Sequence, residues 1–471
     1  MLAERLRVLS QADNLAIELQ QSREEGKDVR RYVQQVQDII RLPPNDPRRE
    51  PAAIKVFDRL AKAPTRKDYP YVEPSKYAEI QSEKPTIDIL KYPLPIDLSN
   101  EAIFDKVYGA WLGRSAGCLL GQPVEMYKQG WNRETITELL QDTDNYPINY
   151  YISSDIPEEL RTKYPMNDDR PRFGNTRTSW INNVTGGVED DDTNYTILGL
   201  KILEDYGPEF TSLDVMESWL TYLPAFRTCT AERVVYKNML NEHLPPESAT
   251  HYNPFREWVG AQIRGDIFGY VAPGHPEIAS KMAWEDASVS HVKNGIYGEM
   301  KAAAMIAVAA ITDDVEEIIS CGISQIPEKS RLAEASREVL DWKRSGKSWE
   351  QVVDTIHERY DENNPHEWCH TVPNSMIVDA ALLYGEGDLE KSIGFAVMSA
   401  LDTDSNGATV GSVVGMIRGA RALPEKWTAP LNDRLRTSVG SMGTVRISEL
   451  AQRTMTVIQT MNDTAQSQRV A

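Results

Sequence analysis

Several things are scarce in this sequence, and each scarcity removes a class of function. Only four cysteines occur in 471 residues, at Cys118, Cys229, Cys321 and Cys369, and none pairs into a CxxC. A zinc ribbon or a dithiol redox motif is therefore excluded, and four scattered thiols fit a reducing compartment. No apolar run reaches the ~18 residues that would cross a bilayer. The opening MLAERLRVLS is charged and lacks the apolar stretch of a secretory signal, so the cytoplasm is the expected location. No block of Lys and Arg exists, and acidic residues outnumber basic ones by 70 to 51, for a net charge of −19. Naked nucleic acid is thus not an expected partner, and neither is a membrane. Alternating strand patterns are scarce too, and no repeat with a period of 20–50 residues is present.

What remains is helical periodicity. Val29, Tyr32, Val33, Val36, Ile39 and Ile40 follow three/four spacing, so residues 1–42 read as two helices broken near Gly26. Prolines at 43, 44, 47, 51, 64, 70 and 74 mark residues 43–97 as an extended segment, with one short helix near Ala53–Ala61. Residues 1–97 therefore read as an extension, of which residues 1–42 are expected to dock on the rest of the chain or on a second copy of it. A main domain is expected over 98–460 and a polar, frayed tail over 461–471. Helices are predicted at Thr193–Tyr206, Gly298–Ala310, Ser330–Trp342 and Asn374–Leu383.

Two glycine stripes stand out. Gly109, Gly113, Gly117 and Gly121 recur every four residues, as do Gly407, Gly411, Gly415 and Gly419. Glycine inside a helix costs about 1 kcal/mol relative to alanine. Spacing by four collects the glycines on one face, where another backbone can come close. Arg114, Ser115, Ser412 and Arg418 interrupt the apolar runs, so close packing in a water-soluble core is expected rather than pairing in a membrane.

Two acidic clusters each open a helix. One is Glu189-Asp190-Asp191-Asp192-Thr193; the other is Asp402-Thr403-Asp404-Ser405-Asn406-Gly407. Single carboxylates at a helix start are caps, but adjacent aspartates repel one another unless a cation neutralises them. Hard oxygen donors suit Mg²⁺, Ca²⁺ or Mn²⁺. The second cluster begins like an EF-hand loop, yet the twelfth position is Val413, where that loop needs a glutamate.

Lys106–Glu125 (KVYGAWLGRSAGCLLGQPVE) resembles the opening helix of the ADP-ribosylglycohydrolases. Glu189–Leu200 and Asp402–Gly411 resemble that family's two metal motifs. Asp286–Glu299 and His370–Asp388 are similar to further family segments, and the likeness spans residues 103–425. It implies a compact all-α domain, an orthogonal helical bundle with a two-metal cleft holding two Mg²⁺, with Mn²⁺ as the alternative. Asp190, Asp191, Asp192, Asp402, Asp404 and Ser405 would be the ligands. Glu125, Asp191 and Asp404 would be the candidates for activating water or stabilising the sugar cation. The chain departs from the family at Asp190, where threonine is usual, and at Cys118, where aspartate is usual.

Residues 290–299 read as a substrate loop, with Gly295 and Gly298 allowing close approach and Asn294 and Tyr297 contacting sugar, phosphate or base. A plain helix-connecting turn with a core tyrosine is the competing reading. His291 and His370 read as hydrogen-bonded structural histidines, and Trp131, Trp180, Trp258 and Trp284 as core or cleft wall. The resemblance implies a hydrolase acting on an ADP-ribosyl substrate. A glycosidase for another N-ribosyl or nucleoside-like molecule and a non-catalytic binding relative are the alternatives. The stretch between Glu125 and Glu189, with Tyr146, Tyr150 and Tyr151, is expected to close over the cleft.

Overall fold

The computed structural model describes residues 6–85, 100–125, 130–166 and 179–470, with side chains through 463. The expected closure between Glu125 and Glu189 thus lies partly outside the described residues. Among the described residues the fold is all-α apart from one antiparallel pair, Leu435–Thr437 with Gly443–Val445. No helix among the described residues is long and apolar enough to cross a membrane.

The N-terminal extension forms a small helical unit with its own core. Helices α1 (Leu15–Glu24), α2 (Val33–Ile40) and α3 (Arg49–Ala61) bury Leu15, Leu19, Val36, Ile39, Val56, Phe57 and Leu60 against one another. The break falls at Gly26, whose φ of +83° a side chain would resist. The apolar face of α2 is covered within the chain, except for Ile40, which is exposed.

This unit is fixed to the main domain by buried polar contacts. Arg256 is clamped between Glu18 and Glu25 at 2.6 Å each. Gln21 donates to Glu257 at 2.7 Å. The proline-rich strap that follows is held at residues 73–75. Glu73 accepts from Arg331 and from Asn294 Nδ2, while Trp284 Nε1 donates to the carbonyl of Ser75. Breaking one side of such a buried pair costs about 3–5 kcal/mol, because it strands the other charge.

The main domain is organised around two antiparallel helices, α4 (Asn100–Gly121) and α8 (Thr403–Arg418). Their glycine stripes face each other. A Cβ added at Gly109, Gly113 or Gly117 would overlap the carbonyl oxygen of Gly415, Gly411 or Gly407, and one at Gly121 would overlap that of Thr403. The helices therefore touch backbone to backbone, and the local loss of helix propensity is offset by dense contact. Helix α5 (Asp191–Tyr206) packs beside them, as do α6 (Asn294–Ala309) and α7 (Thr371–Gly385). Every residue of α6 is buried, including Asn294, Glu299 and Lys301, the last paired with Asp379 of α7 at 2.6 Å. The last helix, Ile447–Val470, is longer than expected and includes the stretch read as a frayed tail.

Candidate metal centre

The glycine contact determines where the chemistry sits. Because α4 and α8 run antiparallel, the end of one meets the start of the other, and Thr403 Oγ1 donates to the carbonyl of Gly121 at 2.9 Å. Glu125, just past α4, is thereby set against Asp402 and Asp404. One oxygen from each of these three carboxylates lies within 4.8 Å of the others. Helix α5 brings the second set. Asp190 is its N-cap, accepting from Asp192 N, and Asp190, Asp192 and Cys118 form another group with the same spacing. Ser405 joins the two sets by donating to Asp192 Oδ2 at 3.3 Å.

All these side chains are buried, with none of the six oxygen-bearing residues more than 5 % exposed. Burial pushes the Asp404 carboxyl well above its ordinary range, and Glu125, Asp190, Asp402 and Asp192 push it further. Asp192 is raised likewise, by burial and then by Asp190, while Arg114 pulls the other way. The charges of both clusters therefore act on one another, although about 210 residues separate them in sequence. Burial and then Asp190, Asp192 and Asp404 keep Cys118 a neutral thiol. The donor set this leaves is oxygen-rich and short of positive charge, which suits a hard divalent cation.

Asp191 lies beside this assembly rather than within either tight group. It is buried, and its charge is felt at Asp192, at Tyr195 and at Glu232.

The segment read as a substrate loop has its polar atoms committed elsewhere. Asn294 is fully buried; its amide donates to Glu73 and Glu257, and its oxygen accepts from Leu332 N. Tyr297 donates its hydroxyl to the carbonyl of Pro74. A Cβ on Gly295 would press on the carbonyl of Arg256, and one on Gly298 would overlap Thr371. In this structure the four residues dock the N-terminal strap and pack helices; a substrate would reach Asn294 or Tyr297 only if residues 73–75 moved away.

Sequence reasoning assigned no role to the groups that support the cluster. Arg114, fully buried, donates to Asp266 at 2.5 Å and to the Asp192 carbonyl at 2.7 Å. Burial opposes its charge, but Asp266 and Asp192 more than compensate and hold it protonated. Asp266 also accepts from Ser412 on α8. Gln122 donates to Asp190 Oδ2 at 2.6 Å, and Asn374 Oδ1 accepts from Asp402 N and from Asn406. The signal for Arg114 was available: an arginine in a glycine-rich helix with no polar face must meet a buried counter-charge.

His370 caps α7 by accepting from Val372 N, and His291 pairs with Ser290. Trp131, Trp180 and Trp258 are buried, while Trp284 is half-buried under the strap. Tyr151 is buried against Trp427, whereas Tyr146 and Tyr150 are exposed.

A model of the ADP-ribosylglycohydrolase family matches residues 99–464. Among solved structures, an ADP-ribosylglycohydrolase-related protein complex is similar at 16 % identity and a TM-score of 0.44, covering 76 % of this chain and 99 % of that one. No curated protein matches.

Proposed function

Since this chain belongs to the ADP-ribosylglycohydrolase family, we propose that it is a Mg²⁺-dependent hydrolase that cleaves the ribosyl N- or O-glycosidic bond of ADP-ribosylated substrates. The observation that carries this reading is the convergence of Glu125, Asp190, Asp192, Asp402, Asp404 and Ser405 on one buried point. Like charges packed this closely, with proton affinities raised by burial, fit a pair of divalent cations better than they fit any purely structural role. Asp190, Asp192, Asp402, Asp404 and Ser405 would hold the pair, with Asp191 flanking it. Mn²⁺ is the natural substitute.

When bound, such cations supply Lewis acidity and grip vicinal sugar hydroxyls. The protein's own groups do the rest. Cleavage of a ribosyl bond passes through an oxocarbenium-like state, which nearby carboxylates stabilise. Water is activated by one of Glu125, Asp191 and Asp404. Arg114 works beneath the site, orienting Asp192 through its main chain. Four cysteines that form no disulfide agree with activity in a reducing compartment such as the cytoplasm.

The near-complete burial of the carboxylates favours one second reading, a glycosidase for a small N-ribosyl or nucleoside-like molecule. Calorimetric titration with ADP-ribose, with and without Mg²⁺, separates the two. Binding that requires Mg²⁺ supports the first reading, and metal binding without affinity for ADP-ribose supports the second. A chain that binds neither would sink both.

A further inference from the structure

The proposed metal centre brings together two trios of donors, and the two are not chemically alike. Glu125, Asp402 and Asp404 are all carboxylates, whereas Cys118 adds a thiol to Asp190 and Asp192. We propose that the second trio is a separate position for a thiophilic divalent cation of the Zn²⁺ class, ligated by the Cys118 thiolate, so that the centre holds two different metals. The proposal rests on the reading of the cluster as a metal centre and adds which cation goes where.

Cys118 is placed by its helix. Arg114, Cys118 and Gln122 are spaced by four, so they share the face of α4 and of its end that meets the start of α5. The outer two are committed there, Arg114 to the Asp192 carbonyl at 2.7 Å and Gln122 to Asp190 Oδ2 at 2.6 Å. The thiol between them faces both aspartates, yet among the described residues it makes no hydrogen bond to either. At 2 % exposure it does not turn to solvent instead. A thiol among apolar side chains is a small hydrophobe, but this one is set among the charges of Asp190, Asp192 and Asp404. A buried polar group left unmatched in such surroundings calls for an explanation, and an ion supplies one. Gly117, the residue before it, lies against the backbone of Gly407, so α4 cannot shift to carry the thiol elsewhere.

The three donor atoms can converge on one ion. Each lies within 4.8 Å of the other two. A tetrahedral cation, with bonds near 2.3 Å to sulfur and 2.1 Å to oxygen, sets those atoms about 3.6 Å apart, so the trio has little distance to close. Asp190 accepts from Asp192 N and Gln122, and Asp192 Oδ2 accepts from Ser405. Each of these oxygens keeps a second lone pair, and a sulfur ligand has no ring plane to restrict its approach. A hard cation leaves the thiol proton in place. A thiophilic one displaces it and forms a metal–sulfur bond.

Cys369 is the internal comparison. Its thiol donates to Asp402 Oδ2 at 3.6 Å, but it joins no trio of donors among the described residues. The position formed by Glu125, Asp402 and Asp404 is therefore left to oxygen alone, as Mg²⁺ prefers.

The test uses the full chain, stripped of metal, kept reduced and supplied with excess Mg²⁺. Added Co²⁺, a spectroscopic stand-in for Zn²⁺, should produce a near-ultraviolet sulfur-to-metal charge-transfer absorption that saturates at one equivalent. Cys118→Ser and Cys118→Ala should both lack it, and Cys369→Ser should keep it. Zn²⁺ binding in competition with Mg²⁺ should weaken at least about tenfold in the Cys118 variants, since loss of a mere outer-shell partner already costs that much. A wild type that binds Co²⁺ without the absorption overturns the proposal and leaves the metal centre standing. Absorption that survives in Cys118→Ser, or vanishes in Cys369→Ser, overturns it as well. If the wild type binds no divalent cation at all, the reading of the cluster as a metal centre fails, and this proposal with it. The wild-type spectrum needs no substitution, so a variant that fails to fold does not leave the question open.

Discussion

Replacing Asp404 with asparagine should stabilise the metal-free protein and remove its response to Mg²⁺. The carboxylate oxygens of Glu125, Asp402 and Asp404 lie within 4.8 Å of one another. Two unit charges at that distance repel by about 3.5 kcal/mol at an effective dielectric near 20. Proton uptake caps the penalty: a group with an ordinary pKa near 4, forced to stay protonated at pH 7, loses about 4 kcal/mol at most. Asparagine is nearly isosteric and keeps the Oδ1 that accepts from Ser405 N. The relief is therefore about 3 kcal/mol. For a chain of this length the unfolding entropy is on the order of 1 kcal/mol per degree, so Tm in chelator should rise by about 3 °C. The wild type at a hundredfold excess of Mg²⁺ over Kd should gain about 2.7 kcal/mol, a shift of similar size, while the variant gains little. Differential scanning calorimetry with chelator and with Mg²⁺ reads both effects. If Asp404→Asn melts below the wild type in chelator and responds equally to Mg²⁺, Asp404 is a structural hydrogen-bond acceptor and the metal reading of the cluster is wrong.

Other outcomes follow from the same contacts. Asp192 and Asp404 carry raised pKa values, so their contribution to stability is full below the ordinary carboxylate range and is lost as pH rises through the elevated values. Metal-free protein should thus gain Tm on mild acidification, and Mg²⁺ should flatten that trend. The extension should show the opposite sign. Burial, with Arg331 and against the pull of Glu24, brings His370 from 6.5 down to about 3, and although burial raises the Glu24 carboxyl, its hydrogen bond with His366 and the charge of Arg331 bring it to about 2. Both contributions are present at neutral pH, His370's being lost progressively below 6.5 and Glu24's below 4.5. Proteolysis of residues 6–85 should accelerate as pH falls through that window, and a rate independent of pH would refute the latch. Arg256→Met strands Glu18 and Glu25 and should cost about 3–5 kcal/mol, again visible as faster cleavage of the extension with Mg²⁺ affinity retained. Gly411→Ala gains about 1 kcal/mol of helix propensity but drives a methyl into the carbonyl of Gly113, so a net loss of about 2 kcal/mol or more is expected, together with weaker Mg²⁺ binding.

How far the sequence could be read depended on whether a feature left a periodic or compositional trace. The glycine stripes did, because spacing by four means one face whatever lies opposite. Their mutual pairing did not, since nothing local in α4 names α8 as its partner. The acidic runs were legible for the same reason as the stripes, and Asp190, Asp192, Asp402 and Asp404 all lie where helix starts converge. That Arg114 needs a buried counter-charge was legible too, but not that Asp266 supplies it, because a pair joining residues 152 positions apart leaves no local pattern. The segment around Asn294 and Tyr297 illustrates a real ambiguity. Glycines at 295 and 298 announce a close neighbour, but a spacing rule cannot distinguish a ligand from the chain's own backbone. The neighbours here are the Arg256 carbonyl and Thr371, while Asn294 and Tyr297 hold the strap at Glu73 and Pro74, a proline-rich stretch whose docking follows no period.

The backbone contact between α4 and α8 has a consequence for how this protein tolerates change. Side-chain packing can relax: a rotamer turns, a methyl is lost, and neighbours shift by fractions of an ångström. Where Gly113 meets Gly411 and Gly117 meets Gly407 there is no rotamer to turn. The separation of Glu125 from Asp404 is therefore set chiefly by main-chain contact, with the Thr403 hydroxyl joining the two helix ends. Substitutions elsewhere in the core should alter melting temperature freely while leaving that separation unchanged, and the carboxylates should hold their spacing in variants that have lost much of their stability.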